Sequence, residues 1–174
     1  MPVLDSRPEN LNFLSQVGFK FYLERAANFN YFIQKVNFPG ITINPVIQET
    51  PFIKAPLPGN VINYDNLSIV FKIDEDFRGY FELYDWFTSL ARNEDFDQSQ
   101  QIYNKNRYEK DDIFSEGSLI ILNSNMSPNI EITFQDMIPV SLSGFSLESD
   151  TDDITYITAR LELAYRSYKY NYVT

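Results

Sequence analysis

The chain of 174 residues contains no histidine and no cysteine. Their absence closes the commonest routes to catalysis. A Ser-His-Asp triad lacks its base, a thiolate nucleophile is missing, and zinc sites built on imidazole or thiolate cannot form. No disulfide can staple the fold, so nothing in the composition points to secretion. Glycine is scarce, at six residues, which leaves little material for a phosphate-cradling loop. Neither a Gly-x-Ser-x-Gly elbow nor a Gly-rich phosphate motif occurs. Basic residues are outnumbered 14 to 24 by acidic ones, giving a net charge of −10 and a pI of about 4.4. A sequence-independent nucleic-acid binder displaces counterions with a basic stripe, and this chain lacks the charge for one. Long apolar runs are missing as well. No segment approaches the roughly 18 uninterrupted residues of a membrane span, so no membrane insertion is expected. The opening MPVLDSRPEN does not read as a signal peptide.

What remains is an aromatic, β-prone protein. With 15 Phe, 12 Tyr and 44% hydrophobic residues it can build a packed core. Its length suits one domain of the usual size, about 100–150 residues. The acidity keeps such a surface soluble, and it also lets polyanions slide past without sticking.

Residues 1–16 are polar and read as an N-terminal arm before a single domain, 17–174. Val17, Phe19, Phe21 and Leu23 alternate with Gly18, Lys20, Tyr22 and Glu24, the period of a half-buried strand. Tyr31 to Asn37 reads as a second strand, stopped by Phe38-Pro39-Gly40. From Ile41 to Ile62 the chain stays β-prone but carries Pro45, Pro51, Pro56 and Pro58. Proline cannot donate to a ladder, so this stretch belongs to edges, bulges or a projecting hairpin. Gly59-Asn60 offers it a further turn.

Leu67, Ile69, Phe71 and Ile73 form another alternating strand, and Asp74-Glu75-Asp76 follows directly. Asp74 and Asp76 are expected to cap a helix, because acidic groups at its first turn complement the dipole. Phe77, Tyr80, Phe81, Tyr84, Phe87 and Leu90 then recur at helical steps, with Leu83 and Trp86 widening the stripe. This predicts an amphipathic helix of about four turns. Its expected core face is Phe77, Phe81, Tyr84, Trp86 and Phe87.

Residues 92–117 are polar and read as a long insertion loop, a kind of segment that is often functional. Ser118–Asn123 suits a strand buried on both faces. Ser127-Pro128-Asn129 turns the chain, and Ile130, Ile132 and Phe134 alternate after it. Met137 to Leu147 is a further extended segment punctuated by Pro139 and Gly144. An acidic loop at 148–153 leads to a last strand, Ile154 to Tyr165. The expected fold is therefore mainly β, a sandwich or barrel of about seven to nine antiparallel strands with one flanking helix.

No catalytic, cofactor or metal residues are expected. Asp74-Glu75-Asp76 offers oxygen ligands to a hard cation, but capping the helix explains the same residues. Glu148, Asp150, Asp152 and Asp153 miss the spacing of a calcium loop and its closing glutamate. Tyr103–Tyr108 and Tyr165–Tyr170 mix aromatics with Lys and Arg. Such a mix can stack bases, yet Tyr and Arg serve protein interfaces equally well. At −10 the protein interface is the better reading, with a nucleic-acid-binding barrel as its competitor. A carboxylate enzyme would need two acids converging in one cleft.

The order of these features resembles the tail-tube proteins of contractile-tailed bacteriophages. Asn37-Phe38-Pro39-Gly40 stands at the first turn, Pro51–Gly59 in the arm, Leu67–Ile73 as the strand and Asp74-Glu75-Asp76 at the cap. Trp86 lies in the helix and Ile154–Tyr165 closes the domain, so the likeness spans residues 17–168. The resemblance implies protomers that form hexameric rings, stacked into a tube that conducts genomic DNA as passing cargo. It implies sheath, tape-measure and baseplate proteins as partners, a place in the virion tail, and assembly in the host cytoplasm. Type VI secretion tubes share the fold. The hairpin 41–62 would then line the lumen or bridge subunits, through Ile41, Ile43, Val46, Ile47, Glu49, Phe52, Lys54, Pro56, Pro58 and Gly59. The 92–117 segment and the N-terminal arm depart from a simple tube subunit. They suggest, as the alternative, a specialised ring at one tube end, an initiator at the baseplate or a terminator.

Overall fold

The computed structural model describes residues 13–16, 18–49, 52–91, 113–148 and 155–173. Strand β1 (Phe19–Leu23) sends Phe21 and Leu23 into the core. A 3-10 turn at Phe29–Phe32 follows and takes in Tyr31 and Phe32, so β2 runs only from Ile33 to Asn37. The turn is fixed by Asn30. Its amide donates to the Leu23 carbonyl at 2.9 Å and accepts from the Leu23 N–H at 2.7 Å, occupying that end of β1 as a strand would.

Four short strands come next, β3 (Ile41–Ile43), β4 (Val46–Glu49), β5 (Lys54–Leu57) and β6 (Ile62–Tyr64). They pair only with one another. Strand β7 (Leu67–Lys72) returns to the core and leads to helix α1 (Arg78–Ala91). Strands β8 (Ser115–Leu122), β9 (Pro128–Leu142), β10 (Thr158–Ala164) and β11 (Ser167–Tyr172) complete the chain. The fold is mainly β and antiparallel, with one α-helix among the described residues, as its sequence leads one to expect.

Seven strands share one sheet, in the order β1-β8-β9-β10-β7-β2 with β11 also on β9. Strand β9 organises it. One edge pairs with β8, while the other pairs first with β11 and then with β10. The changeover lies at Asp136, which adopts φ 53°, a conformation that Asp tolerates better than most residues. Facing that bend, Gly117 of β8 has no room for a side chain, since a Cβ there would meet Met137 Sδ at 2.6 Å.

Alternation turns this sheet into a core. Leu67, Ile69 and Phe71, then Ala159, Leu161 and Leu163, are buried on adjacent strands, with Leu119, Ile132, Phe134 and Met137 beside them. Each large apolar side chain so buried contributes about 1.5–3 kcal/mol. Helix α1 closes the core with Leu83 and Trp86, and Arg25 lies over the Trp86 ring at 5.7 Å.

Several expectations need correction. Phe81 and Tyr84, assigned to the helix's core face, are exposed; Leu83 and Trp86 are buried and Phe87 packs against them. The aromatic residues surround the helix, so sequence spacing alone left its phase open. Phe77 lies before α1, at φ 58°. Residues 115–117 belong to β8 rather than to a loop, while 92–112 lie outside the described residues. The segments read as two strands around 130–134 and 137–147 are one 15-residue strand, running through Pro139. The chain also continues past Tyr165 into β11, which brings the strands among the described residues to eleven.

Candidate functional site

The hairpin 41–64 is the part of the fold left most exposed among the described residues. Its two ladders are stacked end to end. In the inner one Ile41 faces Tyr64 and Ile43 faces Ile62. In the outer one Val46 faces Leu57, Ile47 faces Pro56 and Glu49 faces Lys54. Strands β3 and β4 are exposed at every position, on both faces. Ile41, Ile43, Val46 and Ile47 are therefore about half or more in solvent, and Phe52 near the tip is 97% exposed. An isolated two-stranded hairpin is at best marginally stable in water, and exposed apolar patches of this kind mark interaction surfaces.

Glycine and proline shape the arm. Between the ladders, Gly59 runs so close to Asn44 that a Cβ built on it would overlap the Asn44 carbonyl oxygen. Pro58 precedes that contact, and Pro56 sits within β5. Near the tip Lys54 Nζ lies 3.3 Å from Glu49 Oε1, an exposed pair of the kind worth about 1 kcal/mol at most. Pro51 lies outside the described residues.

The arm is anchored by aromatic rings. Phe38 enters it and Tyr64 leaves it, and both meet the cluster of Phe134, Tyr165 and Tyr168. Phe134 and Tyr165 meet edge to face at 5.0 Å, Phe38 and Tyr168 at 5.4 Å, a favoured arrangement for ring quadrupoles. At the same base the Asp65 N–H donates to the Gly40 carbonyl at 3.1 Å. The Tyr165 hydroxyl is buried without a hydrogen-bond partner among the described residues. Burial, then the neighbouring Tyr168, Tyr64 and Asp65, push its pKa up to about 12. That raised value fits a structural ring, and the hydroxyl has no basic partner to activate it.

The remaining sequence candidates fall elsewhere. The Asp74 carboxylate accepts from the N–H groups of Arg78 and Gly79 at 3.0 and 3.2 Å, at the start of α1. Asp76 instead pairs with Arg78 at 3.4 Å on the surface. Of the Tyr165–Tyr170 tract, Tyr165 and Tyr168 turn into the aromatic cluster and Arg166 Nη1 lies 3.2 Å from Asp136 Oδ2. Tyr103–Tyr108 lies outside the described residues, as does most of the acidic loop. No group of three or more metal-ligating side chains occurs among the described residues. A polar cleft of about 530 Å³ is lined by Glu24, Ser115, Glu116, Gln135, Asp136 and Arg166. Within it Arg166 pairs with Asp136.

Sequence reasoning missed the neighbour of the arm's base, β11. Its signal was present, since Tyr168, Tyr170 and Tyr172 alternate with Lys169 and Asn171.

No family model matches the chain, and no curated protein does. Solved structures do. A chain of the anti-feeding prophage cap, its tube-terminating cap, superposes with TM-score 0.66 at 10% identity, covering 99% of this chain and 100% of that one. A chain of the PVC sheath/tube terminator, from an extracellular contractile injection system, gives 0.64 at 12%, covering 93% and 99%. A chain of the PVC sheath-tube complex gives 0.59 at 14%, covering 92% of each. The protein thus shares its fold, nearly from end to end, with chains of contractile injection systems that include tube-terminating ones.

Proposed function

We propose that this chain is a structural subunit of the tube of a contractile, tail-like apparatus, and that it forms the terminating ring at a tube end. The observation that carries this reading is the end-to-end superposition on the tube-terminating cap, whose chain is covered completely. The terminator chain supports it in the same way. A repeating tube subunit is the second reading, favoured by the match over most of the chain in the sheath-tube complex.

The mechanism is assembly rather than chemistry. Copies close into a hexameric ring, because a heterologous contact repeated around an axis either closes or grows without limit. The arm supplies the contact. Its bare backbone edges and exposed Ile41, Ile43, Val46, Ile47 and Phe52 are left without cover among the described residues and gain partners from another copy. The partners are further copies, the tube and its sheath, and the tape-measure and baseplate proteins during assembly in the host cytoplasm. In a phage tail the ring belongs to the virion and DNA crosses it on ejection. A net charge of −10 suits a lumen that a polyanion must leave as readily as it enters.

Mass measurement combined with negative-stain microscopy tests this. Single sixfold rings are expected of a terminator and stacked tubes of a repeating subunit. A protein that stays monomeric at high concentration would refute both.

A further inference from the structure

The sheet has bare edges, and they are not equivalent. At β1 the end is occupied by the Asn30 amide. At β2 the pairing with β7 slips between Ile33 and Lys35, which bends that edge. In the arm, β5 contains Pro56, a residue confined to strand edges that then offer one donor fewer. Two edges carry no such device within their strands. One is the β3–β4 side of the arm, whose seven strand residues include no proline, Pro45 lying between the two strands. The other is β11.

The geometry of β11 shows which groups it leaves unused. The Val173 N–H donates to the Asn129 carbonyl at 2.9 Å, and Tyr172 stands opposite Ile130. In an antiparallel ladder alternate residues bond the partner. Asn171 and Lys169 therefore turn their backbone groups toward β9, and Tyr168, Tyr170 and Tyr172 turn theirs away. Nothing among the described residues takes these groups. The cause lies in the chain path. Strands β10 and β11 run in succession along one edge of β9, and β7 covers β10. Where β7 would extend to cover β11, the preceding residues Tyr64 and Asp65 have already peeled away into the arm. The departure of the arm creates the vacant place.

We propose that this place is filled by the β3–β4 edge of the arm from a neighbouring copy, so that each protomer gives one strand and receives one. The inference rests on the ring reading above and names its contact. Charge favours it. The arm 41–62 carries only Glu49 and Lys54, and residues 166–173 carry Arg166 and Lys169 with no acid. In a chain of −10, these two segments can meet without like-charge repulsion from carboxylates. Exposed Tyr170 and Tyr172 share one face of the edge and can pack on Ile47 of the incoming strand, which leaves Gln48 on the same face as Asn171.

Because the chain has no cysteine, introduced thiols report the contact directly. The double variant Gln48→Cys with Asn171→Cys, assembled and then mildly oxidised, should give a ladder of covalent species reaching the full ring. Each single variant should stay uncrosslinked, and Gln48→Cys with Lys35→Cys, which tests the β2 edge, should give no ladder. Rings that form by microscopy but crosslink through Lys35→Cys, or through neither site, overturn the inference and leave the ring reading standing. A chain that forms no ring at all removes both.

Discussion

The core sheet and the arm are built from the same residue types and treat them in opposite ways. Ile69 is fully buried and Ile47 is 59% exposed; Phe71 is 1% exposed and Phe52 97%. Both regions alternate in β-ladders, so local propensity does not separate them. What separates them is a second layer. The core strands pack against one another and under α1, while β3 and β4 are exposed at every position. Apolar side chains left uncovered in one folded chain signal a surface completed by another. Among the described residues the apolar side chains are thus covered in one region and exposed in the other.

This contrast can be broken at the core first. Phe134→Ala removes a fully buried ring that touches Phe38, Tyr165 and Tyr168. It should cost about 3–5 kcal/mol in denaturant unfolding, and it should loosen the arm's base as well. Next in size is Asp74→Ala, which deprives the Arg78 and Gly79 N–H groups of their acceptor. A loss of about 1 kcal/mol is expected, read from the shift in unfolding midpoint. A loss as large as that of Phe134→Ala would mean that the loop does more than cap.

Tyr165 gives a smaller and pH-dependent effect. With its folded pKa pushed up to about 12, above the usual value near 10 for tyrosine, the neutral phenol is favoured in the fold. The stability it preserves is fully present below pH of about 10 and is lost as pH rises toward about 12. Tyr165→Phe should remove that part of the alkaline loss. At neutral pH it should be close to neutral, because it deletes a buried hydroxyl that has no partner among the described residues. Parallel unfolding curves of the two proteins from pH 8 to 12 would show the difference; identical alkaline slopes would contradict the assignment.

Smallest of all for the isolated subunit is the arm. Val46→Ser with Ile47→Ser should change monomer stability by no more than about 0.5 kcal/mol, as exposed substitutions do. A large drop in unfolding midpoint would mean that the arm packs on its own core.

The sequence disclosed most of this division. Period-2 alternation marked the core strands at Leu67–Phe71 and Ile130–Phe134, and the prolines from Pro45 to Pro58 marked the arm. It failed where tertiary context decides. The phase of α1 was hidden because aromatic residues occupy both its faces, so only packing selected Leu83 and Trp86 over Phe81 and Tyr84. The continuity of β9 was hidden by Pro139, tolerated there opposite Leu163 beside a register shift. Strand β11 was hidden by its polar alternate positions, which face away from the core on an edge strand. That missed strand is the proposed receiver of the arm, so the interface was half legible, the giving side only.

The central claim is that the arm is completed by another copy while the core is complete alone. Mass photometry of the wild type beside Val46→Asp with Ile47→Asp, each checked for its unfolding midpoint, tests it most directly. A ring-sized wild type and a folded, monomeric variant of unchanged midpoint are predicted. A variant that assembles as the wild type does would contradict the account.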